Sequence, residues 1–207
     1  MIVTEITAIT KSRYKVVLES NVTFVLYKSE IDRYHIKQGE ALPDNIYQII
    51  VNEILPKRAK LRCMNLLKSK DYTRRQLEDK LKRGGYPPEI IANALDYVES
   101  FDYVNDERYT RNFIEYNMQS KSRTRIENDL MRKGICRDVI VKAFDELKSD
   151  GMEIDEESMI HRLLLKKNYH AQTATNDEKR KMFAFLYRKG FHSDIIRRAL
   201  LLDIISI

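Results

Sequence analysis

The chain has 207 residues, 43% of them hydrophobic and 33% charged, enough to bury a core in one domain or two without covalent staples. Two cysteines, Cys63 and Cys136, are too few and too far apart for a disulfide framework or a zinc site, and both read as buried small apolar residues. The net charge of +6 is uneven: residues 1–55 hold 6 Lys/Arg and 7 Asp/Glu, the remainder 31 and 24, so the basic excess of the later part points to an acidic partner or nucleic acid.

Residues 1–55 read as a small unit of their own. Ile2–Ile9 alternates in part, and Tyr14–Leu18 and Val22–Tyr27 are β-branched and aromatic-rich, with Ser20-Asn21 as the turn of a hairpin. Asp44 is placed to cap a helix over Ile46–Leu55, and Pro56 predicts that this helix ends or kinks there. The expectation is three strands with one or two helices. A basic helix over Lys57–Leu67 follows.

From there one pattern occurs three times, at Leu81–Leu95, Leu130–Phe144 and Leu186–Leu200. Each copy has a Leu, basic residues, a Gly (Gly85, Gly134, Gly190), a bulky apolar residue, an acid, two aliphatics and an Ala. The Gly closes a helix at positive φ. The cations before it suit the negative helix end, and Glu89, Asp138 and Asp194 suit the positive start of the next helix. Thr73 with Gln76 reads as a capping box. Leu77 and Leu81, Ile126 and Leu130, and Met182 and Leu186 are each four apart, on one face. A further helix precedes each pair, opened by Asp106-Glu107 in the second copy and Asp155-Glu156 in the third. The third copy is longer, and its insertion falls at about 168–177, a polar, Thr-rich loop with an exposed His170.

The predicted fold is therefore mainly α: three tandem three-helix repeats in an elongated array, preceded by a small N-terminal β-containing (α+β) unit. The domain boundaries are 1–55, 56–104, 105–153 and 154–207.

Catalytic signatures are missing. There is no Gly-rich phosphate loop, GxSxG elbow or HExxH, and His35, His161, His170 and His192 show no metal-ligand spacing. The reading is not an enzyme, with no cofactor and no metal. No apolar run is long enough to cross a membrane, and MIVTEITAITKSRY lacks the features of a signal peptide, so a soluble cytoplasmic protein is expected. A nucleic-acid footprint is the competing reading. Tyr72 beside Arg74 and Arg75, Tyr187 beside Arg188 and Lys189, and the run Lys121–Arg125 interleave rings or hydroxyls with cations that could contact phosphates of single-stranded DNA or RNA. The plainer alternative for each tyrosine is a ring packed in the core with its hydroxyl at the rim.

The segments Tyr72–Tyr86 (YTRRQLEDKLKRGGY), Phe101–Ile114 (FDYVNDERYTRNFI) and Arg123–Ile135 (RTRIENDLMRKGI) resemble the RecX family, bacterial regulators of the recombinase RecA. The resemblance covers roughly residues 57–200. Asp102, Asn105, Thr110 and Ser122 depart from the family's usual residues, at positions expected to be exposed or in turns. It implies tandem three-helix repeats and a monomer that binds the groove of a RecA filament on single-stranded DNA. Such a protein inhibits filament growth, strand exchange, ATPase and coprotease activity, and so acts in DNA repair, homologous recombination and the SOS response. The partner-binding residues expected from the recurrence of basic second-helix ends are Arg74, Arg75, Arg83, Arg123, Arg125, Arg132, Lys133, Arg188 and Lys189.

Overall fold

The computed structural model describes residues 1–201. It divides into two compact units, Met1–Asn105 and Asp106–Ile207.

The first unit opens with a three-stranded antiparallel sheet, β1 (Val3–Thr10), β2 (Arg13–Leu18) and β3 (Thr23–Tyr27), in the order β1-β2-β3. The hairpin turn falls at Ser20-Asn21 as predicted, with Asn21 at φ +61°, a conformation Asn tolerates better than most residues. Val16 pairs with Phe24 across β2 and β3. Val16, Leu18, Phe24 and Leu26 are fully buried on the inward face. Val25 points the other way and is also buried, so β3 is covered on both sides.

A short helix, α1 (Lys28–Arg33), follows. Next, α2 (Asp44–Ile49) runs through a π-helical turn at Ile50–Ile54 into α3 (Leu55–Leu67) without a break. Of the two alternatives the sequence offers at Pro56, an end or a kink, the end is corrected. Pro56 lies in the first turn of α3, and just ahead of it the Leu55 N–H donates to the Ile50 carbonyl, five residues back. The wide turn absorbs the proline that would otherwise break the i→i−4 ladder. Ile50 and Leu55 are fully buried across this junction, which holds the two halves as one rod. Asp44 is the first helical residue rather than the cap, which is Pro43.

The three helix pairs form as predicted: α4 (Arg74–Arg83) with α5 (Pro88–Ser100), α7 (Arg123–Arg132) with α8 (Arg137–Ser149), and α10 (Asn176–Arg188) with α11 (Ser193–Ala199). The leading helices are α3, α6 (Asp106–Asn117) and α9 (Glu156–Lys166). Each Gly turn has the same double bond pattern. Gly85, Gly134 and Gly190 sit at φ +79°, +89° and +87°. Their N–H groups donate to Lys82, Met131 and Tyr187, while Tyr86, Ile135 and Phe191 donate to Leu81, Leu130 and Leu186. These are Schellman caps, which satisfy carbonyls the helix end leaves open. The Thr73–Gln76 capping box is present, and Thr175 with Glu178 makes another at α10.

One continuous core joins the sheet, α3, α4 and α5. In the second unit, the repeat α6–α8 and the repeat α9–α11 each have their own cluster, around Ile126, Leu130 and Ile140 and around Ile160, Leu186 and Ile196. Two sequence expectations fail on burial. Cys136 is exposed, because it occupies the N-cap of α8 where the backbone is extended and only Ile135 turns inward. Cys63 is buried, and burial pushes its thiol up to about 11. Thr110, expected to be exposed or in a turn, is buried within α6 and donates its hydroxyl to the Asp106 carbonyl at 2.6 Å, whereas Ser122, also buried, stands outside the helix as the cap of α7.

Candidate interaction surfaces

The Gly turns form the edges of two basic grooves, one in each unit. In the second unit a groove of about 610 Å³ lies between α7, α9 and the turn after α10. Lys121, Arg125, Arg162, Lys166, Arg188 and Lys189 surround it, over an apolar floor of Met159, Leu163 and Phe191, with no carboxylate in the lining. Arg162, Lys166, Arg188 and Lys189 are exposed and form no ion pair among the described residues. Lys189 lies over the Phe185 ring at 5.1 Å. The Ser122 hydroxyl donates to the Lys189 carbonyl at 2.9 Å and so joins the two repeats at the groove's edge.

In the first unit a smaller groove of about 300 Å³ lies between the sheet, α3 and the turn after α4. Arg13, Arg58, Arg62, Lys80 and Arg83 line it with Tyr27 and Tyr86, again without a carboxylate. Arg13 donates to the Gly84 carbonyl at 2.7 Å. Arg58 is held in place: it donates to the Val25 carbonyl at 3.0 Å, pairs with Glu30 and lies over the Tyr27 ring at 4.5 Å. Burial pushes the Tyr86 hydroxyl above its usual range, against the pull of Arg58, Arg13 and Arg62. Five or six cations around a concave surface with no acid in it concentrate anions there.

The structure sorts the nine sequence-predicted cations. Arg83, Arg125, Arg188 and Lys189 line these grooves. Arg74 is held by Asp96 at 3.2 Å and by Glu99, and Arg75 by Glu78 at 3.2 Å and Asp79 at 3.5 Å. Arg123 lies on another side of α7. Its guanidinium pairs with Glu127 at 2.9 Å and covers the Phe144 ring at 4.4 Å, beside a groove lined by Glu153, Asp155, Glu156 and Glu157. Arg132 reaches Asp129 at 3.8 Å, and Lys133 lies over Phe113 at 5.3 Å. Asp129 collects Lys121 at 2.9 Å and Arg125 at 3.5 Å as well. Burial alone would raise its carboxyl, but the hydrogen bond from Lys121 and the charges of Lys121, Arg125 and Arg132 hold it below the usual carboxylate range.

Sequence reasoning missed Arg13, Arg58, Arg62, Lys80, Arg162 and Lys166 as groove residues. Only Arg58 with Arg62 and Arg162 with Lys166, each pair one helical turn apart, carried a local signal. Of the proposed nucleic-acid tyrosines, Tyr72 is buried and takes the plainer reading, whereas Tyr187 is 61% exposed and stacks on Phe183 at 6.2 Å. Among the described residues no group of His, Cys, Asp and Glu is arranged to hold a metal, and no helix is long and apolar enough to cross a membrane.

Comparison with known proteins bears on these surfaces. Three family models match consecutive segments: "RecX, first three-helix domain" at residues 59–97, "RecX, second three-helix domain" at 105–143 and "RecX, third three-helix domain" at 155–200. The chain is 33% identical over 191 residues to the regulatory protein RecX of Caldanaerobacter subterraneus subsp. tengcongensis, covering 91% of this chain and 92% of that protein. It is 25% identical to the protein of the same name from Clostridium botulinum, over 90% and 88% of the two chains. Among solved structures, a crystal structure of regulatory protein RecX aligns with TM-score 0.62 at 20% identity, over 96% of this chain and 98% of that one. A RecX crystal structure from Lactobacillus salivarius aligns with TM-score 0.58 at 20% identity, over 71% and 95%. These two alignments support the fold.

Proposed function

This chain belongs to the RecX family, and from that premise we propose that it is a negative regulator of the recombinase RecA. The family carries a regulatory role. In the finer reading the chain binds along the groove of the RecA filament on single-stranded DNA, as a cytoplasmic monomer that performs no chemistry and needs no cofactor. It restrains filament growth and with it ATPase, strand exchange and coprotease activity, within DNA repair, homologous recombination and the SOS response.

The observation that best supports this is the repetition of exposed cations at the Gly turns, Arg83 in the first repeat and Arg188 and Lys189 in the third, which form no ion pair among the described residues. The contact units are the three repeats, 56–104, 105–153 and 154–207. Several weak contacts on one chain add through effective concentration, so that a regulator present below the filament's protomer count still binds it.

The test is RecA ATPase on single-stranded DNA with substoichiometric amounts of this protein. Inhibition is expected. Charge reversal at Arg125, Arg188 and Lys189 should raise the concentration for half-inhibition by about tenfold or more, the equivalent of one lost contact of about 1.4 kcal/mol. Unchanged ATPase at any ratio would reject the regulatory reading, and full inhibition by the reversed protein would move the contact off this surface.

A further inference from the structure

The two basic grooves are built on one plan, although one is bordered by a sheet and the other by a helical repeat. Each lies beside the Gly turn of a repeat, next to that repeat's leading helix and the module that precedes it in the chain. In each, the carbonyl immediately before the positive-φ glycine accepts a hydrogen bond from the preceding module. Lys189 receives it from Ser122 of the second repeat at 2.9 Å, and Gly84 receives it from Arg13 of the sheet at 2.7 Å. The glycines themselves are pressed against the same neighbours. A Cβ on Gly190 would lie 2.8 Å from the Ser122 oxygen, and one on Gly85 would lie 2.3 Å from Val25 Cγ2 of β3. The leading helices contribute matching cations one turn apart, Arg58 and Arg62 on α3, Arg162 and Lys166 on α9. The sheet therefore stands to the first repeat as the second repeat stands to the third.

We propose that the N-terminal sheet completes a second anion-binding groove through Arg13, and that this groove, like its counterpart beside the third repeat, holds the phosphodiester backbone of single-stranded nucleic acid. The chemistry favours phosphates over an acidic peptide. Guanidinium groups present two parallel donors to the oxygens of a phosphate. The first groove also carries Tyr27, 42% exposed, beside its cations, and an exposed ring next to phosphate-binding cations is a platform on which a base stacks. Arg58 covers one side of that ring, and a peptide carboxylate would use the cations but not the exposed remainder of the ring. This goes beyond the regulatory reading and stands without the recombinase.

The experiment is fluorescence anisotropy of the full chain with a labelled oligothymidylate across a salt series, RecA being absent. The variants are Arg62→Glu with Arg83→Glu for the first groove and Arg162→Glu with Arg188→Glu for the second. Lys15→Glu with Lys179→Glu, which line neither groove, is the charge-matched control. Circular dichroism confirms each fold, and the milder Arg62→Gln with Arg83→Gln repeats the first test without reversed charge. Each groove pair should weaken binding at least about tenfold more than the control and flatten the log–log salt slope by roughly 1.4, the loss of two phosphate contacts on a single strand. Arg13→Gln should weaken binding in the same direction. The proposal is overturned if the Arg62/Arg83 variants bind like the control, or if polyglutamate of equal charge displaces the oligonucleotide as well as unlabelled oligothymidylate does. Retained RecA inhibition by a variant that no longer binds the oligonucleotide would leave the regulatory role intact and confine that role to protein contacts.

Discussion

Gly85 and Gly151 share a left-handed backbone, φ +79° and +78°, but they differ in what surrounds them. At Gly151 an added Cβ would meet nothing within 4 Å, so Gly151→Ala carries only the backbone cost of about 1–2 kcal/mol. At Gly85 the same Cβ would meet Val25 Cγ2 at 2.3 Å, and Val25 is buried in a strand that cannot retreat. Overpacking there adds about 1–3 kcal/mol, roughly 2–5 kcal/mol in all with the backbone term. Thermal unfolding of the two variants should thus separate them, with Gly85→Ala lowering the midpoint well beyond Gly151→Ala. Equal shifts would mean that the turn and the sheet are not in firm contact. The conformational half of this was legible in the sequence, because a Gly after a basic helix end is a local signal. The packing half was not, since Val25 lies 60 residues away in the chain.

On helix α7 the sequence grouped Arg123, Arg125 and Arg132 as one surface, and helical geometry divides them. Residues two apart do not share a face, so Arg125 reaches the basic groove while Arg123 turns to Glu127 and Phe144. The recurrence of basic residues before each Gly was visible at once. The partner acids that neutralise some of them were not, because Asp129 gathers Lys121, Arg125 and Arg132 from both sides of its own position. This carboxylate restrains two of the groove's cations. Asp129→Asn should cost on the order of 1 kcal/mol of stability at neutral pH and should strengthen oligothymidylate binding by releasing Lys121 and Arg125. Its folded-state carboxyl lies below the ordinary 3.8, so its stabilising effect is present above that value and is lost as pH falls through the folded value. The stability difference between the native chain and Asp129→Asn, measured by urea unfolding, should accordingly be constant near neutrality and vanish in strong acid. A difference that persisted there would trace to packing rather than charge.

At the scale of the whole molecule, the three repeats could be read from spacing, but the relation of residues 1–55 to them could not. Composition changes near residue 55 because strands and helices use different residues, and that change looks like a boundary. Burial ignores it: Leu18, Phe24 and Leu26 of the sheet share one core with Leu55, Leu77 and Val98, and the α2–α3 rod passes through Pro56 unbroken. A core shared in this way unfolds as one cooperative unit, since opening the sheet exposes the faces of α3 and α5 as well. Native-state hydrogen exchange should therefore give the amides of β2, β3, α3 and α5 a common opening free energy, with equal dependence on added denaturant. Amides of the α9–α10 connection, near Asn168–Ala174, carry few backbone partners beyond single turns and should exchange at much lower free energy. If the sheet opened separately, well below α3 and α5, it would be an appendage rather than a wall of the first groove, and Arg13 would not be held in position to bind an anion there.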